Sequence, residues 1–552
     1  MKTPFATNPF NIKHMNISPH ENQFDKLVVS LTEALGTSSG LTSDDVNVTS
    51  LMRLMKLYDS QECDWGKYAF GDSETDYTRN LVDEGNGKSN LGKSMSLTLV
   101  AIVVVLVVAA ILRYHFQGDS GSHSPEIGLE DLKALNTRHD VYSAFMTLVN
   151  DEGAGSWPPR VNHDKFPPAL RPYRQIYDAM APFLATAKPS LDDECNKQRC
   201  QEFRSRMQAL LTEKVDMKAA QSALEVVQSG NWEAFPRDAY NGFYSCIACL
   251  RHAYRWATNP VVKAAQDERQ LRLPLELDMP WSYLQRRFDI TSPCGNVMTN
   301  AICNLDAHGQ IVYPINEGMS DVVRSTELAW CRLFYDMESM AIPIYGAMIQ
   351  AIVAFEQRDK KSCLAHVETA FVNLRKVMQF VFERMNDPYI ARAVWVRHVS
   401  GIHSWGLTLE TDDPPIEYGG LSGSQALLFI SVDAFLGINR YHSDSEFKRD
   451  ISREMRDVAA AFRRYSFRRL LSEKFEEDIA IENALKRMVN QLRSFRAVHK
   501  VRAIRYLSAP APERLAMTAA LSVLPSQGEE KPAAESYQSL DGMLTKRLNE
   551  TV

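Results

Sequence analysis

From Asp321 to Leu507, apolar residues return every three or four positions through six successive segments: 324–357, 360–386, 388–402, 424–440, 445–464 and 478–507. A period near 3.6 gathers those residues on one side of a helix, whereas a strand would need alternation every two. The segments therefore predict an all-α domain over 321–507, with its stripes buried against one another. Residues 127–320 carry shorter helical patterns, interrupted by Pro158, Pro159, Pro167, Pro168, Pro274, Pro280 and Pro293. They predict a smaller α-rich domain, with a ligand cleft where the two domains meet. Residues 508–552 are rich in proline, alanine and glutamate and read as a mobile tail.

A different signal precedes these domains. Ser94 to Leu112 holds no charged residue, and at 1.5 Å per residue such a helix reaches about 28 Å, close to the hydrocarbon thickness of a bilayer. Residues 94–113 are expected to form a single transmembrane helix, followed by a Gly/Ser linker over 114–126. Residues 1–93 contain nine basic and thirteen acidic residues and only short apolar patches, which predicts a largely disordered arm. Nine cysteines scattered from Cys63 to Cys363 read as reduced thiols and place the C-terminal part in the cytosol. A net charge of −6 spread over the chain gives no reason to expect a nucleic-acid partner.

Motif chemistry is sparse. The sequence holds no phosphate loop, nucleophile elbow or HExxH helix, which argues against nucleotide and hydrolase functions. Cys246 and Cys249 have CxxC spacing, but they sit in an amphipathic helical pattern that does not suit a zinc knuckle. The last long segment is more informative, because His499 falls on its apolar stripe four residues after Phe495, with Arg496 one turn earlier. Such a histidine is either a hydrogen-bonded core residue or the axial ligand of a haem whose propionate pairs with Arg496. A Gly/Ser loop with Gly419, Gly420, Ser422 and Gly423 leads into an apolar helix containing Asp433. That loop is either a capped helix start or a place where a flat macrocycle meets the backbone, and Asp433 either faces outward or accepts a buried bond.

The order of AYRW (Ala253 to Trp256), VMTN (Val297 to Asn300), AFEQRD (Ala354 to Asp359), NDP (Asn386 to Pro388), Ser400-Gly401, the GGLSGSQ loop with its following FxxxDxxLGI, and RxxH followed by RYL resembles the indoleamine 2,3-dioxygenase family. The resemblance covers about Leu250 to Leu507. It implies a two-domain all-α fold around haem b, with His499 as the proximal iron ligand and Arg496 as a propionate partner. It also implies that Gly420, Ser422 and Gly423 form the loop against the haem, with Asp433 an acidic residue behind it. On the substrate side the sequence departs from the family. Val396 stands where the family has the arginine that grips the substrate carboxylate, and Arg397 is one residue away. Ala391 and Arg392 replace paired phenylalanines, and Arg332 replaces a pocket serine.

The implied activity is insertion of dioxygen across the indole C2=C3 bond of tryptophan or a related indole, giving an N-formylkynurenine-type product. The alternative is a haem-binding relative whose altered pocket takes another substrate or acts as a sensor. With regular α-helical geometry, Arg392 and Val396 share a face, so Arg392 or Arg332 is expected to replace the missing arginine.

Overall fold

A computed structural model describes residues 128–552, apart from residues 136, 269, 406–418, 441 and 508–532. The expected arm, transmembrane helix and linker over 1–126 lie outside the described residues. Thirteen helices of eight or more residues occur among the described residues, which include no strand, only isolated bridges such as Ala185 to Asn259. In chain order they are α1 (Asp140–Thr147), α2 (Arg171–Leu184), α3 (Asp193–Lys214), α4 (Met217–Gln228), α5 (Arg237–Trp256) and α6 (Leu275–Phe288). These are followed by α7 (Asp321–Met340), α8 (Ile342–Glu356), α9 (Lys360–Arg384) and α10 (Leu427–Phe435). The chain closes with α11 (Arg453–Arg464), α12 (Glu476–Leu507) and α13 (Ala533–Asn549). The described fold is all-α.

Two hydrophobic cores hold these helices. One gathers α2 to α6, with Tyr173, Phe243, Trp256 and Trp281 among its buried rings. The other is built from α7 to α12, joined by Phe145 and Trp157 from the start of the described chain and by Val297 to Leu305. Sequence pattern explains the packing. In α11, Met455, Val458, Ala459 and Phe462 are buried at the i, i+3, i+4, i+7 spacing of one face. Helix α8 is apolar almost all round, and Ile344 to Ile349, Ala351, Ile352 and Ala354 are buried in its core.

Several boundaries differ from the periodic reading. The segment 324–357 divides at Ala341, because Pro343 at the start of α8 cannot continue the preceding hydrogen-bond ladder. Together α7 and α8, Asp321–Glu356, are long and apolar enough to cross a membrane by composition, but their apolar side chains are spent in the core. The segment 388–402 forms only a short turn at Arg392–Val394, followed by a π-helical turn at Trp395–Val399. The expected mobile tail needs correction over its last part. Residues 533–549 form helix α13, and Lys500 of α12 pairs with Asp541 at 2.8 Å. Leu548 is buried. The proline, alanine and glutamate content of 508–552 suggested a mobile tail, but charged and apolar partners on α12 and α10 hold this last part.

Candidate functional site

Helix α12 changes role along its length. Ile481, Leu485, Met488 and Leu492 are fully buried in the core. One turn further, the same stripe continues as Phe495, Arg496, His499, Ala503 and Tyr506, which line a cavity of about 590 Å³. The helix thus carries its apolar face out of the packed core and along one cavity wall. A volume of this size falls within the range of sites for cofactors and small ligands.

His499 carries the one imidazole of that stripe. It makes no hydrogen bond to any described residue, and its ring stacks on Phe495 at a centroid distance of 6.0 Å and 23°. Phe495 stacks in turn on Phe429 at 5.4 Å and 22°. Burial lowers the imidazole pKa to about 4, and the positive charges of Arg502 and Arg496 act in the same direction. His499 is therefore neutral at physiological pH, with its lone pair available to a metal. This form is the one an axial iron ligand takes.

One turn before it, Arg496 is fixed by a carboxylate. Its Nη2 donates to both oxygens of Asp433 at 2.8 Å, and its Nη1 donates to Thr551 Oγ1 at 2.6 Å. Asp433 lies in the last turn of α10 and is 5 % exposed. It also accepts a bond from Arg547 of α13. Two guanidiniums around one carboxylate explain how an acidic residue tolerates an apolar helix.

The Gly/Ser loop reaches the cavity from the N-terminal side of α10. Ser422 caps the short helix Gly423–Gln425 by accepting from Ser424 N, and Gln425 Oε1 accepts from the backbone N–H of Ser422 and of Val297, each at 3.0 Å. Ser422 and Gly423 line the cavity. A Cβ at Gly423 would lie 3.2 Å from the Phe334 ring, so the missing side chain keeps that approach open. Gly420 has another role. Its φ is +95°, and a Cβ there would come within 2.3 Å of the His403 carbonyl oxygen. It lets the loop pack on residues 403–405 and does not line the cavity.

The facing wall is aromatic. Trp330 and Phe334 of α7 meet at 4.9 Å, Trp330 and Trp395 at 5.3 Å, and Trp395 and Tyr506 at 5.4 Å, all close to edge-on. The indole N–H groups of Trp330 and Trp395 are buried without a hydrogen-bond acceptor.

None of the residues expected to bind substrate lines this cavity. Arg332 is exposed and pairs with Asp336 at 3.2 Å. Arg392 and Arg397 are exposed, Ala391 is half-buried, and Val396 is buried behind the wall. For the residues from Arg392 to Arg397 the cause is local backbone geometry. Ser400 N bonds to Trp395 O at 2.8 Å, the i→i+5 closure of a π turn. That wider turn shifts the side-chain directions that regular α spacing assigns to 392 and 396. Trp395 faces the cavity instead.

Sequence reasoning also missed Trp330, Arg463 and Arg547. Arg463 follows the buried Phe462 on an amphipathic helix, where a solvated arginine is the ordinary reading. Arg547 lies in the stretch read as a tail.

The cavity's lining has what a flat macrocycle with acidic edges and a metal that accepts one imidazole nitrogen would require. His499 offers the nitrogen, Gly423 the open approach, and the guanidiniums the positive charge. Comparison with known proteins agrees in the part of the chain that builds this site. Residues 26–93 match the family model "Cysteine dioxygenase type I". In that region the chain is 55 % identical over 49 residues to cysteine dioxygenase type 1 of Danio rerio and 50 % identical over 48 residues to that of Homo sapiens. Each match covers 9 % of this chain and 24 % of the relative, so the chain spans about a quarter of the length of those relatives. Residues 217–543, more than half of the chain and including Ser422, Asp433, Arg496 and His499, match the family model "Indoleamine 2,3-dioxygenase", and the chain belongs to that family.

Proposed function

We propose that this chain is a haem-dependent dioxygenase that inserts dioxygen into the C2=C3 bond of tryptophan or a related indole. The observation that carries the reading is His499, a neutral ring with no hydrogen-bond partner among the described residues, facing a cavity of about 590 Å³ one turn from Arg496. Haem, when bound, supplies the iron at which dioxygen is activated.

The chain's own residues bind and position. His499 would supply an imidazole nitrogen to the iron, and Arg496 would pair with an acidic edge of the cofactor, its guanidinium held in direction by Asp433. Trp330, Trp395 and Tyr506 offer ring edges and faces to an indole, and their apolar surface excludes water. Asp433 is the carboxylate among the described cavity-lining residues, and two guanidiniums hold it. It is not placed as a general base. The arrangement suits a reaction driven by holding substrate and oxidant together rather than by proton abstraction.

A second reading has its own support. Arg332, Arg392 and Arg397 all lie off the cavity wall, so no guanidinium from these segments meets an amino-acid carboxylate there. On this reading the chain binds haem but acts on another substrate or serves as a sensor.

Two measurements separate the possibilities. Protein expressed with haem supplementation should show a Soret band that His499→Ala abolishes and His403→Ala retains. Stoichiometric haem in His499→Ala would refute the ligand assignment. Haem-loaded protein, reduced anaerobically and given L-tryptophan and then dioxygen, should form N-formylkynurenine, and a Soret band without that product selects the second reading.

In the same proposal residues 94–113 anchor the chain in a membrane with its C-terminal part in the cytosol. Alkaline carbonate washing should leave the protein in the membrane pellet, and its release into the wash would remove the anchor.

A further inference from the structure

Beyond Arg496, other guanidiniums line the cavity, and most have an acidic partner. Arg440 pairs with Asp444, Arg456 with Asp289 at 2.5 Å, and Arg464 with Asp140 at 3.6 Å. Arg496 and Arg547 share Asp433, and Glu550 approaches Arg547 at 3.9 Å from outside the cavity wall. Arg463 of α11 differs. It is half-buried, and its Nη2 donates to the Ile438 carbonyl oxygen at 2.5 Å. It forms no ion pair with a carboxylate among the described residues.

Its neighbours sharpen the point. Arg547 Nη1 donates to the next carbonyl, Asn439 O, at 2.7 Å. Arg463 and Arg547 are thus bound to adjacent peptide groups just beyond α10, near the one carboxylate of Asp433. Burial lowers the pKa of Arg463, the positive charges of Arg440 and Arg469 add to this, and Asp433 opposes it. At this end of the cavity Arg496 and Arg547 take up the Asp433 carboxylate between them, and Arg463 is left with a carbonyl oxygen. A half-buried guanidinium satisfied only by a carbonyl oxygen, beside others of like charge, calls for an anion.

We propose that Arg463 is a second anion-binding residue of the cavity, receiving one carboxylate of a planar ligand that carries two, while Arg496 receives the other. The inference rests on the haem reading above, in which the ligand's two acidic edges are its propionates. A planar guanidinium can bind a carboxylate through two parallel bonds, which a lysine ammonium cannot reproduce.

The test is hemin titration of the full-length apo protein, followed by the Soret band, for wild type, Arg463→Gln and Arg463→Lys. Circular dichroism and thermal melting report whether each variant is folded. Arg463→Gln should bind hemin at least about tenfold more weakly, with Arg463→Lys in between. Hemin dimethyl ester, which lacks both charges, should bind wild type weakly and Arg463→Gln no more weakly than that. Wild-type hemin affinity in folded Arg463→Gln overturns the assignment. So does unchanged hemin affinity with a raised KM for a carboxylate-bearing substrate, because the anion would then belong to the substrate. If wild type itself fails to bind hemin, or binds it equally well as His499→Ala, the haem reading has failed and not the assignment of Arg463 within it.

Discussion

Glu152 is 4 % exposed, and its Oε2 accepts a 2.6 Å bond from Ser452 Oγ. Burial, with the charge of Glu454 next, raises its pKa to about 8. An unfolded glutamate ionises near 4.5, so between about pH 4.5 and 8 the unfolded chain releases a proton that the folded chain retains. Stability from this residue is therefore fully present below pH 4.5 and is lost as pH rises to 8, by an amount on the order of a few kcal/mol. Glu152→Gln stays neutral and keeps an acceptor for Ser452. Its urea denaturation midpoint should fall less than that of wild type between pH 5 and pH 8, and equal falls would show that Glu152 is ionised in the folded protein.

Single residues also mark how far the site could be read from sequence. Helical spacing was enough to associate Arg496 with His499, and of the other residues named from the sequence the structure brings Ser422, Gly423 and Asp433 to the same cavity but leaves Gly420 off its wall. Spacing failed at Arg392 and Val396, because a π turn is set by tertiary packing and has no clear mark in the sequence.

At the scale of elements, the long segments of period 3.6 were legible because a continuous stripe needs a continuous helix to bury it. Their ends were less so, since they depend on partners far away in the chain. Glu338 of α7 illustrates this. Fully buried, it accepts from Trp157 Nε1 at 2.8 Å, Tyr345 Oη at 2.6 Å and Leu428 N at 3.0 Å. The last bond supplies an acceptor to an unpaired N–H at the start of α10. Burial raises the pKa of Glu338, while the donated bonds act in the opposite direction. Together with Gln425, this carboxyl fixes both sides of the Gly/Ser loop and sets where α10 presents Asp433. In the sequence, Glu338 is one acidic residue on an amphipathic helix, and nothing local distinguishes it from the exposed Asp321 of the same helix. The similarity of residues 26–93 to part of a cysteine dioxygenase was equally hidden, because composition and periodicity there suggest only a polar arm.

At the scale of the whole molecule, the C-terminal helix decides how much of the chain the cavity needs. Composition made residues 508–552 look dispensable, yet Met543, Leu544 and Arg547 of α13 line the cavity. Leu548 is 3 % exposed, and burying such a side chain contributes about 1.5–3 kcal/mol. Lys500 to Asp541 ties the same helix to α12, and Arg496 to Thr551 ties down the residues just after it. A chain ending at residue 532 would leave Asp433 with Arg496 alone and open one wall of the cavity to water. Arg496 would keep its carboxylate, so the truncated protein should still fold, with a lower melting temperature. Hemin should bind it more weakly and dissociate faster, because the apolar wall that excludes water has gone. If the truncated chain instead matches full-length protein in both melting temperature and hemin dissociation rate, α13 makes no energetic contribution to the site and the cavity is complete at Leu507.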